Sequence, residues 1–436
     1  MDKLIIYSEK ESPRLTYIAD LVFHKLLGFH VDVTSNKDTY NAVSRVKINY
    51  SDNLQLDGFH MAPDGLLFEK NLVEKQVRQG TPYHGLPTLL VNPSESFDIL
   101  GSSFFLVSRY EEYLDYVPDD HNRFPATASC LVQYDLLKRP LINEWCLALY
   151  TELKRAYPEI STQQPDFDYC STLDIDQAWK YRNKGIVRTM GGIVRDMLKS
   201  DWQEVRDRIR VLIGTKHDPF YNFDWQDQVH ANHGTRVQYF VQIGKSGEFD
   251  KNTKFGNPEF QQLIKRLDDT HAADIHPSYQ SNKDFPIVQR EVHALANLLA
   301  RDVHVSRQHY LIMSMPKTYQ NLIDLGITSD HTLGYSTHTG FRAGIAVPFQ
   351  FFDLERNRST QLKLVPFCMM DITPLHYDGL SAEQAKTAIR KLMDDVKRVN
   401  GTFVSLWHNE SLSESGRWVG WRTVYEDMIA YAQEIG

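Results

Sequence analysis

The chain has 436 residues, 42% of them apolar, which is enough to bury more than one core. A formal net charge of -8 without a Lys/Arg stripe offers no general attraction for a polyanion, so nucleic acid is not an expected partner. There is no membrane span to expect from so interrupted an apolar pattern, and Cys130, Cys146, Cys170 and Cys368 are too scattered for a disulfide scaffold or a CxxC metal knuckle.

The opening MDKLIIYSEKESPR has no apolar leader core with a small-residue cleavage site, so a cytoplasmic location is expected. Leu4 to Tyr7 reads as a strand and Leu15 to Leu27 as a helix. Residues 32–80 carry short strand-like runs broken by Asp-Gly turn signals. Phe97 to Tyr116 has helical apolar spacing, its charged residues reading as a solvated face, and Pro140 to Tyr157 is a further helix. Periodicity then lapses in PEISTQQPDFDY, which divides the chain into domains 1–165 and 166–436.

After this boundary, short strand-like runs ending in polar residues alternate with helical segments, the rhythm of an α/β domain. CSTLDID, TRVQYFVQIG, HAADIHPSY, VHVSRQH, LGITSDHTLGYS, TQLKLVPFCMMDIT and GTFVSLWHN supply the strands. The basic stretch from Lys180 to Arg210 reads as a helical insertion with a solvated surface, and Ser381 with Gln384 forms a capping box ahead of an amphipathic helix. Polar residues at several strand ends are what a parallel α/β barrel presents for catalysis.

Asp174 and Asp176 alternate at one such end, and His276, His309 and His408 follow others. A lone Asp-x-Asp is as readily a turn or a cap, and a lone histidine as readily structural. Together they make an Asp176, His276, His309 shell for zinc or a similar divalent ion, with Asp174 as base and His408 as acid. Asp371 lies near another strand end, as a tuning carboxylate or a loop cap. Arg342 would orient Asp174 and keep it ionised. Paired acids also raise a metal-free glycosidase as an alternative.

Residues 170–410 resemble the NodB-homology polysaccharide deacetylases, carbohydrate esterase family 4, in the divergent bacterial branch with an added N-terminal domain. Thr172-Leu173-Asp174-Ile175-Asp176 is similar to the family's TFDDG motif, with one residue between the acids. Gly340-Phe341-Arg342-Ala343-Gly344 resembles its arginine motif, and Leu406-Trp407-His408 its late Leu/His motif. The family's HxxxHP motif is incomplete, because Gln280 stands four residues after His276. His309 is the expected replacement; the alternatives are His304, direct binding by Gln280, or loss of the metal.

The resemblance implies an α/β fold with a distorted TIM-like, NodB-type barrel and a separate N-terminal α/β domain. It implies one divalent metal ion, zinc, and removal of an N-acetyl or O-acetyl group from a bacterial glycan or glycan precursor. Another amide hydrolase, or a carbohydrate-binding protein on the same scaffold, are the competing functions. Trp418 and Trp421 are expected to anchor a helix or to stack on a sugar.

Overall fold

The computed structural model describes residues 2–42, 46–90 and 96–436. Its N-terminal part holds a four-stranded sheet of β1 (Lys3–Tyr7), β2 (His30–Thr34), β3 (Val46–Asn49) and β4 (Phe59–His60), in the order β2-β1-β3-β4. All three pairings are parallel. The run expected to be one helix from Leu15 is an α-helix, Pro13–Ala19, continuing into a π-helical stretch, Asp20–Leu26; Ser12 caps it by accepting from Leu15 N. Of the strand-like stretch 32–80, residues 43–45 lie outside the described residues.

The second sheet has nine strands: β5 (Asp168–Ile175), β6 (Val237–Val241), β7 (Ala272–Ile275), β8 (Val305–Ser306), β9 (Ser329–Asp330), β10 (Phe349–Asp353), β11 (Arg358–Leu364), β12 (Met369–Met370) and β13 (Thr402–His408). Their order is β10-β11-β9-β8-β7-β6-β5-β13-β12. Every pairing is parallel except the β10–β11 hairpin. The sheet curls into a half-barrel. Val365 and Phe367, just past β11, pack on Val404 and Leu406 of β13, although the two strands lie near opposite ends of the sheet. Gly340 N donates to Cys368 O at 2.8 Å and helps draw the rims together.

Period-two alternation then sorts the side chains. On β13, Phe403 and Trp407 enter the main core, whereas Val404 and Leu406 face the inside of the curl with Cys170 of β5. Leu173 and Ile175 go outward in the same way, so Asp174 is left on the inner side, in register with His408. Helices Pro258–Thr270, Phe285–Leu299 and Ala382–Arg398 cover the outer face with apolar stripes. The capping box expected at Ser381 and Gln384 is formed.

The two sheets share one continuous apolar core. Residues 13–26 shield the edge strand β10, where Tyr17 OH donates to Gln350 O at 2.7 Å and the Phe104 and Phe352 rings meet edge-on at 5.0 Å. The charged residues of the 97–116 segment, expected to face solvent, are in part buried. After helix Ile99–Val107, Arg109 and Glu112 are almost fully enclosed, and Glu112 accepts from Arg109 Nε at 2.7 Å and from Arg342 Nε at 3.0 Å and Nη2 at 2.8 Å. An ion-pair triad therefore ties the N-terminal part to the half-barrel.

Candidate active site

Five strands deliver polar groups to one pocket, all from their carboxyl ends. β5 brings Asp174 and then Asp176, β7 is followed by His276, β8 by Arg307 and His309, β12 by Asp371, and β13 ends on His408. In a parallel sheet every strand points the same way, so residues remote in sequence meet at this rim. The cavity is about 280 Å³, and its walls include Asp174, Asp176, His276, His309 and His408.

Asp176, His276 and His309 present one ligand atom each, all within 4.8 Å of one another. Asp176 Oδ1 is 3.3 Å from His276 Nε2, and its Oδ2 is 3.5 Å from His309 Nε2. The other ring nitrogens are engaged. His276 Nδ1 donates to Arg307 O at 2.6 Å, and His309 Nδ1 donates to Asp250 Oδ1 at 3.0 Å. Nδ1 of each imidazole is thus engaged and Nε2 faces Asp176, the arrangement of metal-binding histidines. Asp250 is itself held by Tyr279 N at 2.9 Å and the Gln242 amide at 2.5 Å.

The donor set fits a divalent cation on further grounds. Asp176 Oδ1 is buried and has no hydrogen-bond partner, an atom that protein groups leave unsatisfied. Burial opposes a charge on His309, yet Asp176 and Asp250 lift its pKa to about 9. Burial likewise opposes ionisation of Asp176, but the positive field of His309 and the other histidines holds it well below the usual carboxylate range. The pocket thus draws positive charge to the point where the two Nε2 atoms converge. Nitrogen and oxygen ligands in this proportion suit a divalent transition-metal ion.

Asp174 is buried beside this group. Arg307 Nη1 donates to its Oδ1 at 2.8 Å, leaving Oδ2 directed toward His276 Nε2 at 3.7 Å. Arg307 is fixed in turn by His331 O, which accepts from Nε at 3.0 Å, and by the Phe240 ring at 4.4 Å. Across the pocket, His408 Nδ1 lies 3.1 Å from both oxygens of buried Asp371, which also accepts from His408 N at 2.8 Å. Burial opposes protonation of His408, but Asp371 outweighs it and lifts the pKa to about 10. His408 Nε2 points inward, 4.0 Å from Asp176 Oδ2.

Of the residues singled out in the sequence, Asp174, Asp176, His276, His309, Asp371 and His408 come together here. Arg342 does not. Its guanidinium pairs with Glu112 and donates to Gly334 O at 2.9 Å, and the arginine beside Asp174 is Arg307. Gln280 is exposed, and His304 is exposed with its Nδ1 bonded to Gly326 O, so neither lies in the pocket. Trp418 and Trp421 are buried, with Trp421 Nε1 donating to Asp371 O at 3.3 Å; they anchor structure and offer no stacking face.

Sequence reasoning missed Arg307, which stands two residues before His309 and so on the same side of an extended segment. That alternation was the available signal. It also missed His121 and Arg123, which reach the pocket wall from the N-terminal part. His121 Nδ1 lies 3.2 Å from Tyr279 OH, and Arg123 Nη1 donates to Tyr310 O at 2.6 Å. Nothing in their local sequence marks them.

Among known families, a model described as DUF7033, a family of unknown function, matches residues 4–158. No curated protein matches the chain. Among solved structures, the polysaccharide deacetylase Bc1974 from Bacillus cereus is similar at 12% identity and a TM-score of 0.31, over 62% of this chain and 88% of that one. The Puue allantoinase is similar at 10% identity and a TM-score of 0.39, over 61% and 84%. The catalytic domain of peptidoglycan N-acetylglucosamine deacetylase from Eubacterium rectale ATCC 33656 is similar at 11% identity and a TM-score of 0.30, over 64% and 88%. Overlaps this loose leave the functional information with the side chains.

Proposed function

We propose that this chain is a metal-dependent hydrolase that removes an N-acetyl or O-acetyl group from a glycan or glycan precursor. The observation that carries the reading is the flanking of one Asp/His/His group by two differently prepared proton carriers, Asp174 with Arg307 and His408 with Asp371. Asp176, His276 and His309 would hold the cation. When bound, it would supply Lewis acidity, polarising the acyl carbonyl and making a water easier to deprotonate.

The remaining labour falls to the chain itself. Asp174 takes the proton of the attacking water at Oδ2, because Oδ1 is occupied by Arg307. His408 is protonated at neutral pH and gives the Nε2 proton to the departing nitrogen or oxygen. Asp371 stabilises the imidazolium and fixes the ring. A paired-acid glycosidase fits less well: Asp176 is held far from the protonated form a general acid needs, and Asp174 is ion-paired. The pocket volume, at the small end of ligand sites, suits an acyl group and the sugar ring bearing it.

In this reading residues 166–436 are the catalytic unit and residues 1–165 an accessory domain whose His121 and Arg123 complete the pocket wall. Zinc-loaded protein is expected to release acetate from N-acetylglucosamine oligomers or O-acetylated glycans, and a chelator to stop it. Asp174→Asn and His408→Ala should each lower turnover by about 10² to 10⁴-fold with metal retained. Absence of acetate release from every acetylated glycan tested, with the metal bound, would remove the proposal.

A further inference from the structure

The helical insertion between β5 and β6 inverts the usual distribution of side chains. In helix Ile186–Leu198 the single buried residue is Asp196, while Ile186 is 84% exposed, Val187 86% and Leu198 82%. With Met190, Val194 and Met197, these residues recur at helical spacing within an arc of about 120°, all of it facing outward. The next helix, Trp202–Leu212, buries Val205 and Val211 with Arg208, yet leaves Trp202 62% exposed, with Ile209, Leu212 and the following Ile213 exposed beside it. What holds the two helices together is polar, a buried pair between Arg208 Nη2 and Asp196 Oδ2 at 2.6 Å. The surface is solvated, as expected, but much of what water meets on it is apolar.

We propose that this hairpin docks the protein on an anionic lipid surface. Aliphatic side chains with a tryptophan on the outer face and Lys/Arg alongside are the composition of helices that lie in a membrane interface. Between residues 180 and 217, ten Lys and Arg outnumber four Asp and Glu in a chain whose net charge is -8; Lys184 and Arg208 are buried, while Lys199, Arg206 and Arg210 stand exposed beside the apolar side chains. A patch so unlike the rest of the molecule complements acidic headgroups. A second copy is the poorer occupant, because a two-fold contact would set this basic patch against itself.

The hairpin is firmly mounted at the active-site rim. Asp218 accepts from the backbone N–H groups of Lys180, Tyr181 and Arg182 at 2.7, 2.9 and 3.0 Å and fixes its base. Arg188 donates to Lys251 O at 2.9 Å and to Asn252 O at 3.2 Å, in the same loop as the Asp250 that holds His309. Docking would therefore bring the pocket close to the bilayer. Resting on the deacetylase reading, this points to an acetylated glycan carried on a lipid as the substrate class.

The test is co-sedimentation of the full chain with phosphatidylcholine vesicles and with vesicles that also contain phosphatidylglycerol. Partition onto the anionic vesicles, weakened by salt, is expected, with little onto phosphatidylcholine alone. Combined Ile186→Ser, Val187→Ser and Leu198→Ser changes should lower it at least about tenfold at an unchanged melting temperature, since all three side chains are exposed. Arg206→Glu with Arg210→Glu should act on anionic vesicles only. Equal partition onto both vesicle types, or none, would overturn the proposal. So would a concentration-dependent doubling of mass in light scattering, abolished by the same serine variant, which would give the face to a second copy. Failure on vesicles would leave acetate release untouched, and failure of acetate release would leave vesicle binding standing.

Discussion

Arg307 and Arg342 are both buried guanidiniums in ion pairs with a carboxylate, yet their consequences separate cleanly. Arg307 holds Asp174 and nothing else acidic, so Arg307→Met should lower kcat by about 10²-fold, in the range of positioned proton transfer, with metal affinity little changed. Arg342 shares Glu112 with Arg109, so Arg342→Met removes two of the charge-assisted hydrogen bonds to that buried carboxylate and should cost about 1.5–3 kcal/mol of stability, read by denaturant unfolding. The opposite pattern would restore Arg342 to the site. The sequence displayed both arginines equally, and the GFRAG segment drew attention to the wrong one. Partner identity was decided by Glu112, some 230 residues upstream, whose burial no local pattern announced.

His408 has a pH signature. With its pKa lifted from 6.5 to about 10, chiefly by Asp371 acting against burial, it stays protonated through neutral pH. Its pairing with Asp371 thus stabilises the fold fully below pH 6.5 and loses that contribution as pH rises through about 10. As the acid, it should give kcat a descending limb on the alkaline side. Asp371→Asn removes the main raising influence and should move the limb to lower pH. A limb that does not move would separate Asp371 from the acid.

At the scale of elements, the site follows from strand polarity. Histidines and acids just past apolar runs were legible as strand-end residues, and the parallel pairing of β5 with β6, β13 and their neighbours turned that into proximity. Strand lengths were less legible. β8, β9 and β12 are two-residue strands, their flanks drawn away by loops that build the pocket, and the β10–β11 hairpin was not anticipated. The turn near Arg342 is held by Gly340, at φ 138°, where a Cβ would stand 2.4 Å from Leu137 O. Gly340→Ala should therefore cost about 1–3 kcal/mol, measured by thermal unfolding. A neutral effect would mean that this segment shifts freely.

For the whole molecule, the break in periodicity near residue 158 was readable and coincides with a stretch, 161–167, without helix or strand. Less readable was how far the two parts interpenetrate. The Arg109, Glu112 and Arg342 triad and the approach of His121 and Arg123 to the pocket depend on tertiary contacts between segments that each look self-sufficient. Residue type marked the acids and histidines that meet in the pocket, whereas positions that only packing decides left no local mark.

The proposed chemistry depends on Asp176, His276 and His309 holding a metal ion together. Diffraction from zinc-loaded crystals at the zinc absorption edge tests it most directly. One strong anomalous peak is expected in bonding contact with Nε2 of His276, Nε2 of His309 and a carboxylate oxygen of Asp176, lost in His309→Ala and kept in Gln280→Ala. A zinc peak elsewhere in the pocket with His309 turned away, or no peak after full loading, would contradict it.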